Sequence, residues 1–369
     1  MNIKSILLLL LLPTLMLLIA CSGGGGEPLP TYNNSSSSTY FEKGNDYLYQ
    51  GDYQKALEQY NEAIRLDPQN ADAYNNRGLA YRYLDQFERA IQDYDEAIRL
   101  NPQNADAYTN RGISYYSIGQ HEQAIQDHTE AILLKPHADT YINRGVAYYS
   151  IGQHEQAIQD YTESIRLNPQ APYAYSNRGV AYRSLGQNDQ AIQDYNEAIR
   201  LNPQADTYTN RGNVYYSIGQ FELAIQDYNE AIRLNPQADE YYNRGVAYYS
   251  TSQHERAIQD YDEAIRLNPQ ADAYNNRGLA YRYLDQFERA IQDYDEAIRL
   301  NPQNAATYNN RGLAYSYLDQ FERAIQDYDE AIRLNPQNAA TYNNRGLAYS
   351  KLGKDVESES DIRKAKELG

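Results

Sequence analysis

The sequence predicts an all-α fold, an α-solenoid of about ten helix–turn–helix units. Two observations carry that expectation. From about residue 37 the chain repeats every 33 or 34 residues, and units 71–104 and 271–304 are identical over all 34 positions. Self-similarity at such a period marks a repeat architecture. Within a unit, apolar residues keep helical spacing, as Ala90, Ile91, Tyr94, Ala97, Ile98 and Leu100 do. Composition agrees with thin, amphipathic packing: the apolar fraction is 41%, with 40 Tyr and no Trp.

The first 20 residues read as a secretory signal. Lys4 gives a positive start, and residues 6–20 form an apolar run of 15 residues broken by Pro13 and Thr14. That is short for a membrane span, which needs about 20 residues. The segment Leu18-Ile19-Ala20-Cys21 resembles the bacterial lipobox. The resemblance implies cleavage before Cys21, acylation of that residue, and a lipid-anchored protein of the cell envelope. Ser22 in place of Asp favours the outer membrane. Residues 21–38 continue as lipidated Cys and a Gly/Ser tether, reaching roughly 20–25 Å as a random coil.

The array occupies residues 37–369, with expected units at 37–70, 71–104, 105–137, 138–171, 172–204, 205–237, 238–270, 271–304, 305–338 and 339–369. In the second unit a first helix is expected over 71–84, a turn at Asp85-Gln86, and a second helix over 88–100. Asn101-Pro102 ends it, because the residue before proline avoids the α region. An Asn-Arg-Gly core recurs nine times, first at 76–78 and last at 344–346. A mid-helix glycine costs about 1 kcal/mol relative to Ala, so close packing must offset it. Four internal units lack one Asn after Pro-Gln. The terminal units depart from the pattern, with Glu42-Lys43 in place of Asn-Arg at the start and Ser358 and Ile362 near the end. Polar outer faces are expected of units with no neighbour to cover them.

With Ala71 as position 1, positions 4, 8, 11, 20, 24, 27 and 32 are Tyr74, Gly78, Tyr81, Ala90, Tyr94, Ala97 and Pro102. This pattern resembles the tetratricopeptide repeat, and the resemblance covers most of the chain. It implies a right-handed superhelix of helix pairs, a concave groove lined by the first helix of each pair, and a role in binding other proteins.

On a helical wheel, Tyr74, Gly78 and Tyr81 share one face, and Asn76 lies nearly opposite with Asp72, Leu79 and Tyr83. In the family this second face looks into the groove. The groove is therefore expected to carry Asn76, Asn110, Asn143, Asn177, Asn210, Asn243, Asn276, Asn310 and Asn344. A partial row of acids runs beside them: Asp72, Asp106, Asp139, Asp206, Asp239 and Asp272. Tyr116, Tyr149, Tyr216 and Tyr249 are expected near its edge, with Tyr83, Tyr283 and Tyr317 more central. An Asn side chain both donates and accepts, which suits the C=O and N–H of an extended peptide. The row resembles the asparagine ladder in the tetratricopeptide domain of O-linked N-acetylglucosamine transferase, whose catalytic half is absent here. A solvated polar residue spread by duplication is the competing account. The recurring arginine, at the packing edge, is expected to bridge to a carboxylate such as Asp93 or Glu96.

No phosphate-binding glycine loop, nucleophile elbow or paired acid and base occurs. No two of the five histidines have the i, i+4 spacing of metal ligands, so neither an enzyme nor a cofactor is expected. The lone Cys21 excludes a cysteine zinc cluster. A net charge of −17 argues against nucleic acid. The expected function is a membrane-anchored scaffold that binds extended protein segments, since the chain is similar in layout to some bacterial tetratricopeptide lipoproteins that act as adaptors. A glycan-binding protein and an adhesive or spacer lipoprotein remain alternatives.

Overall fold

A computed structural model describes residues 36–369. The leader, Cys21 and almost all of the tether therefore lie outside the described residues. Twenty helices, paired as ten helix–turn–helix repeats, make up this part of the chain, in two compact units that part between Asn202 and Pro203. None of them is long and apolar enough to cross a membrane.

The first unit holds α1 (Ser37–Tyr49), α2 (Tyr53–Leu66), α3 (Ala71–Tyr83), α4 (Phe87–Leu100), α5 (Ala105–Ser117), α6 (His121–Leu134), α7 (Ala138–Ser150), α8 (His154–Leu167), α9 (Pro172–Ser184) and α10 (Asn188–Leu201). The second holds α11 (Ala205–Ser217), α12 (Phe221–Leu234), α13 (Ala238–Ser250), α14 (His254–Leu267), α15 (Ala271–Tyr283), α16 (Phe287–Leu300), α17 (Ala305–Tyr317), α18 (Phe321–Leu334), α19 (Ala339–Lys351) and α20 (Asp355–Leu368).

The turn inside each pair is a Schellman closure. After α3, Asp85 N–H donates to Arg82 C=O at 3.0 Å and Gln86 N–H to Tyr81 C=O at 2.9 Å. The closing residue takes a left-handed backbone, φ 56° at Asp85 and 79° at Gly119. Asparagine and aspartate tolerate this region and glycine enters it freely, which explains why both Gly-Gln and Asp-Gln serve at this turn. Between pairs the turns differ. Asn70, Asn104, Asn304 and Asn338 cap the next helix through their side chains. At three of the four shortened turns, Gln204, Gln237 and Gln270 stand there without a side-chain cap, and at the fourth His137 Nδ1 accepts from Asp139 N–H at 3.3 Å. Where Gln takes its place, the missing Asn is a missing cap, worth about 1 kcal/mol.

The repeated glycine is explained by one contact. A Cβ on Gly78 would sit 2.8 Å from Tyr94 Cε1, and one on Gly278 would sit 2.7 Å from Tyr294 Cε1. The two helices of a pair cross there with nothing between them but the ring. Each such tyrosine is buried, and it also packs on the next pair: Tyr60 clusters with Ala80, and Tyr294 with Ala314. The last pair is looser, since Ile362 replaces the ring against Gly346, at 3.1 Å from a built Cβ.

Candidate functional site

The arginine after each ladder asparagine is committed to the fold. Arg77 Nε and Nη2 donate to Asp93 Oδ2 and Oδ1 at 2.8 and 2.6 Å, and Nη1 donates to Asn61 of the preceding pair at 2.8 Å. Arg277 likewise joins Asp293 to Asp262. Asp93 is the partner, while Glu96 pairs with Arg99 instead. Burial opposes the charge on Arg77, but the hydrogen bonds and charge of Asp93 outweigh it and raise the guanidinium pKa. The planar fork makes these bonds two at a time, a geometry lysine cannot reproduce.

All nine ladder asparagines are half-buried. They divide into two kinds. Asn110 Nδ2 donates to Asn75 Oδ1 at 3.3 Å, Asn276 to Tyr242 Oη at 2.9 Å, Asn310 to Asn275 at 3.2 Å and Asn344 to Asn309 at 3.1 Å. Each donates to the fifth position of the preceding pair; Asn76, at the start of the row, donates to Asn45 at 2.8 Å. In contrast, Asn143, Asn177 and Asn243 follow pairs whose fifth residue is Thr109, Ile142 or Thr209, and they make no side-chain hydrogen bond among the described residues. Asn210, early in α11, is half-buried like the rest. So in part of the row the amides stitch the array together, and elsewhere they stay open.

The acids line the start of the same helices. Asp72, Asp106, Asp206, Asp239 and Asp272 are exposed, and Asp139 is half-buried with His137 Nδ1 3.8 Å away. In the second unit, Leu313, Tyr317, Asn344, Leu347 and Lys351 line one recess bounded by α17, α18 and α19. Positions 6, 9 and 13 of successive first helices therefore share a surface, as helical spacing requires. Tyr283 and Tyr317 are 57% and 60% exposed on this face, each stacked against the preceding pair, on His254 and Phe287. Tyr83 stacks on Tyr53 at 4.7 Å. Tyr116, Tyr149 and Tyr216 instead reach Ser150, Ser184 and Ser250 of the next pair at 2.9–3.0 Å.

Two features were not anticipated from the sequence. The bonds between pairs depend on what stands at position 5, which no single unit reveals. Glu240 is buried in α13, and its signal was legible: it is the one charge at a position that otherwise holds Ala or Thr. Among the described residues no three His, Cys, Asp or Glu side chains gather as metal ligands.

Comparison with known proteins places these features. Family models described as TPR repeat match residues 44–82, 78–119, 145–183 and 317–353. Tetratricopeptide repeat models match 105–137, 172–204, 205–237, 238–270 and 271–304, then 293–326 and 339–368. A tetratricopeptide repeat protein of Parabacteroides merdae is 23% identical, covering 66% of this chain and 98% of its own, with a TM-score of 0.51. The Cut9–Hcn1 assembly of the APC/C matches at 19% identity, 85% and 76% coverage and a TM-score of 0.50. YrrB, described as a TPR protein with an unusual peptide-binding site, matches at 22% identity, 53% and 99% coverage and a TM-score of 0.45. No curated protein sequence matches the chain.

Proposed function

The chain belongs to the tetratricopeptide-repeat family, and from that premise we propose that it is a non-catalytic scaffold, anchored by lipid at Cys21 in a bacterial envelope membrane, that holds extended protein segments along the face of its first helices. Proteins of this family bind peptide segments of other proteins. The observation that carries the reading is the open amides: Asn143 and Asn177 in the first unit, and Asn243 in the second, are half-buried at the same position of their helices, with donor and acceptor both uncommitted. An extended backbone offers the complementary C=O and N–H groups. The leader and the single Cys21 support the anchor, with the outer membrane favoured.

The test is crosslinking of the acylated protein in its own envelope, followed by titration of the captured segment. Changing Asn143 and Asn177 together to Ala should weaken that segment roughly tenfold or more, at ~0.5–1.5 kcal/mol per net hydrogen bond. Unchanged affinity would remove the amides from the binding face. A second reading, glycan binding, draws on the exposed rings of Tyr283 and Tyr317; a glycan array tests it directly.

A further inference from the structure

Position 3 of the first helix is a buried packing site. Nine pairs fill it with Ala or Thr, such as Ala73, Ala107, Ala174 and Ala273. α13 places Glu240 there, 6% exposed. Thr209 Oγ1 on α11 donates to its Oε1 at 3.3 Å, while Oε2 is buried with no partner at all. The negative charges of Asp239, beside it on α13, and Asp206, on α11, act on the same carboxyl. Burial, first, and those two charges push its pKa up. The cation one turn further along α13 is already taken: Arg244 binds Asp260 through Nε and Nη2, and Asn229 through Nη1. Glu240 itself enters no ion pair among the described residues.

A carboxylate is an acceptor only, and burying one without donors is unfavourable. Apart from its own backbone N–H, Glu240 has one weak donor, Thr209, and no cation, and the two acids beside it add only negative charge. Glu240 lies three residues from Asn243 and so adjoins it on the helix surface, beside an amide that is also uncommitted. We propose that Asp206, Asp239 and Glu240 form a seat for one basic side chain, lysine or arginine, of the extended segment held by the second unit. An ammonium or guanidinium brings the several N–H donors that these oxygens lack. The inference rests on the peptide-binding reading above and adds its specificity: backbone is held by amides, register by one buried charge.

The experiment selects a displayed library of random decapeptides on the full chain, then titrates a selected peptide and its norleucine counterpart. Wild type should select a Lys or Arg at one fixed place, and norleucine there should weaken binding at least about tenfold. Glu240→Gln should cost a similar factor and leave little further loss on norleucine replacement, the signature of a coupled pair. Glu240→Ala, which installs the residue found in four other pairs, should keep the fold and lose the basic preference. Selection of peptides with no basic residue, or additive losses in the cycle, would overturn the seat alone. Failure to select any peptide would overturn the peptide-binding reading as well. A melting point raised by calcium in wild type but not in Glu240→Gln would assign the acids to a metal and overturn the peptide assignment.

Discussion

His128 offers the sharpest test of how the array is packed. It stands where most other pairs place the tyrosine that faces the repeated glycine, and it is 1% exposed. A Cβ on Gly112 would come within 2.6 Å of His128 Cε1, so the ring is enclosed, and its Nδ1 has no partner. Burial, with a smaller contribution from the charge of Arg144, lowers its pKa from 6.5 to about 3. The unfolded chain therefore binds the proton more readily than the folded one. The stability contribution is fully present above pH 6.5 and is lost as pH falls toward 3. At pH 5 the loss is about 1.5 pH units, or ~2 kcal/mol. His128→Tyr restores the neutral ring of the other pairs and removes this term. The assay is a pair of melting curves, by circular dichroism, at pH 7.5 and pH 5 for wild type and variant. Carboxylates common to both proteins cancel in the difference. The variant should lose several degrees less than wild type on acidification. Equal losses in both would mean that the ring is not buried neutral, and the packing assigned to α5 and α6 would be wrong.

Three further outcomes follow from the same geometry. Gly278→Ala improves helix propensity, yet the Cβ would lie 2.7 Å from Tyr294 Cε1, so stability should fall by about 1–3 kcal/mol in a chemical denaturation. A rise would show that the helices can part at no cost. Asn104→Ala removes the side chain that caps α5 and should cost about 1 kcal/mol, read as faster amide exchange at the start of that helix. Cys21→Ala should leave a protein that takes up no labelled fatty acid and partitions to the aqueous phase of a detergent extract; continued acylation would place the anchor elsewhere.

The sequence by itself determined the helices, their pairing and the arginine's bridge to a carboxylate of its own unit, because all three depend on spacing within one unit. Gly78 against Tyr94, the Asp85 turn, and Arg77 within reach of Asp93 are near in sequence, and each repeats. The family pattern was legible for the same reason. The candidate face was legible only as a direction on a wheel. Whether Asn110 is tied down or Asn143 left open depends on Asn75 and Thr109, one pair earlier and about a full repeat away in the chain. Likewise, a glutamate in place of Ala is visible in the sequence, but that Glu240 is buried without a cation is not. That depends on where Arg244 spends its donors and on which residues α11 presents. Stacking turns ten similar units into different surroundings, since each side chain meets a neighbouring pair whose residues its own unit does not specify.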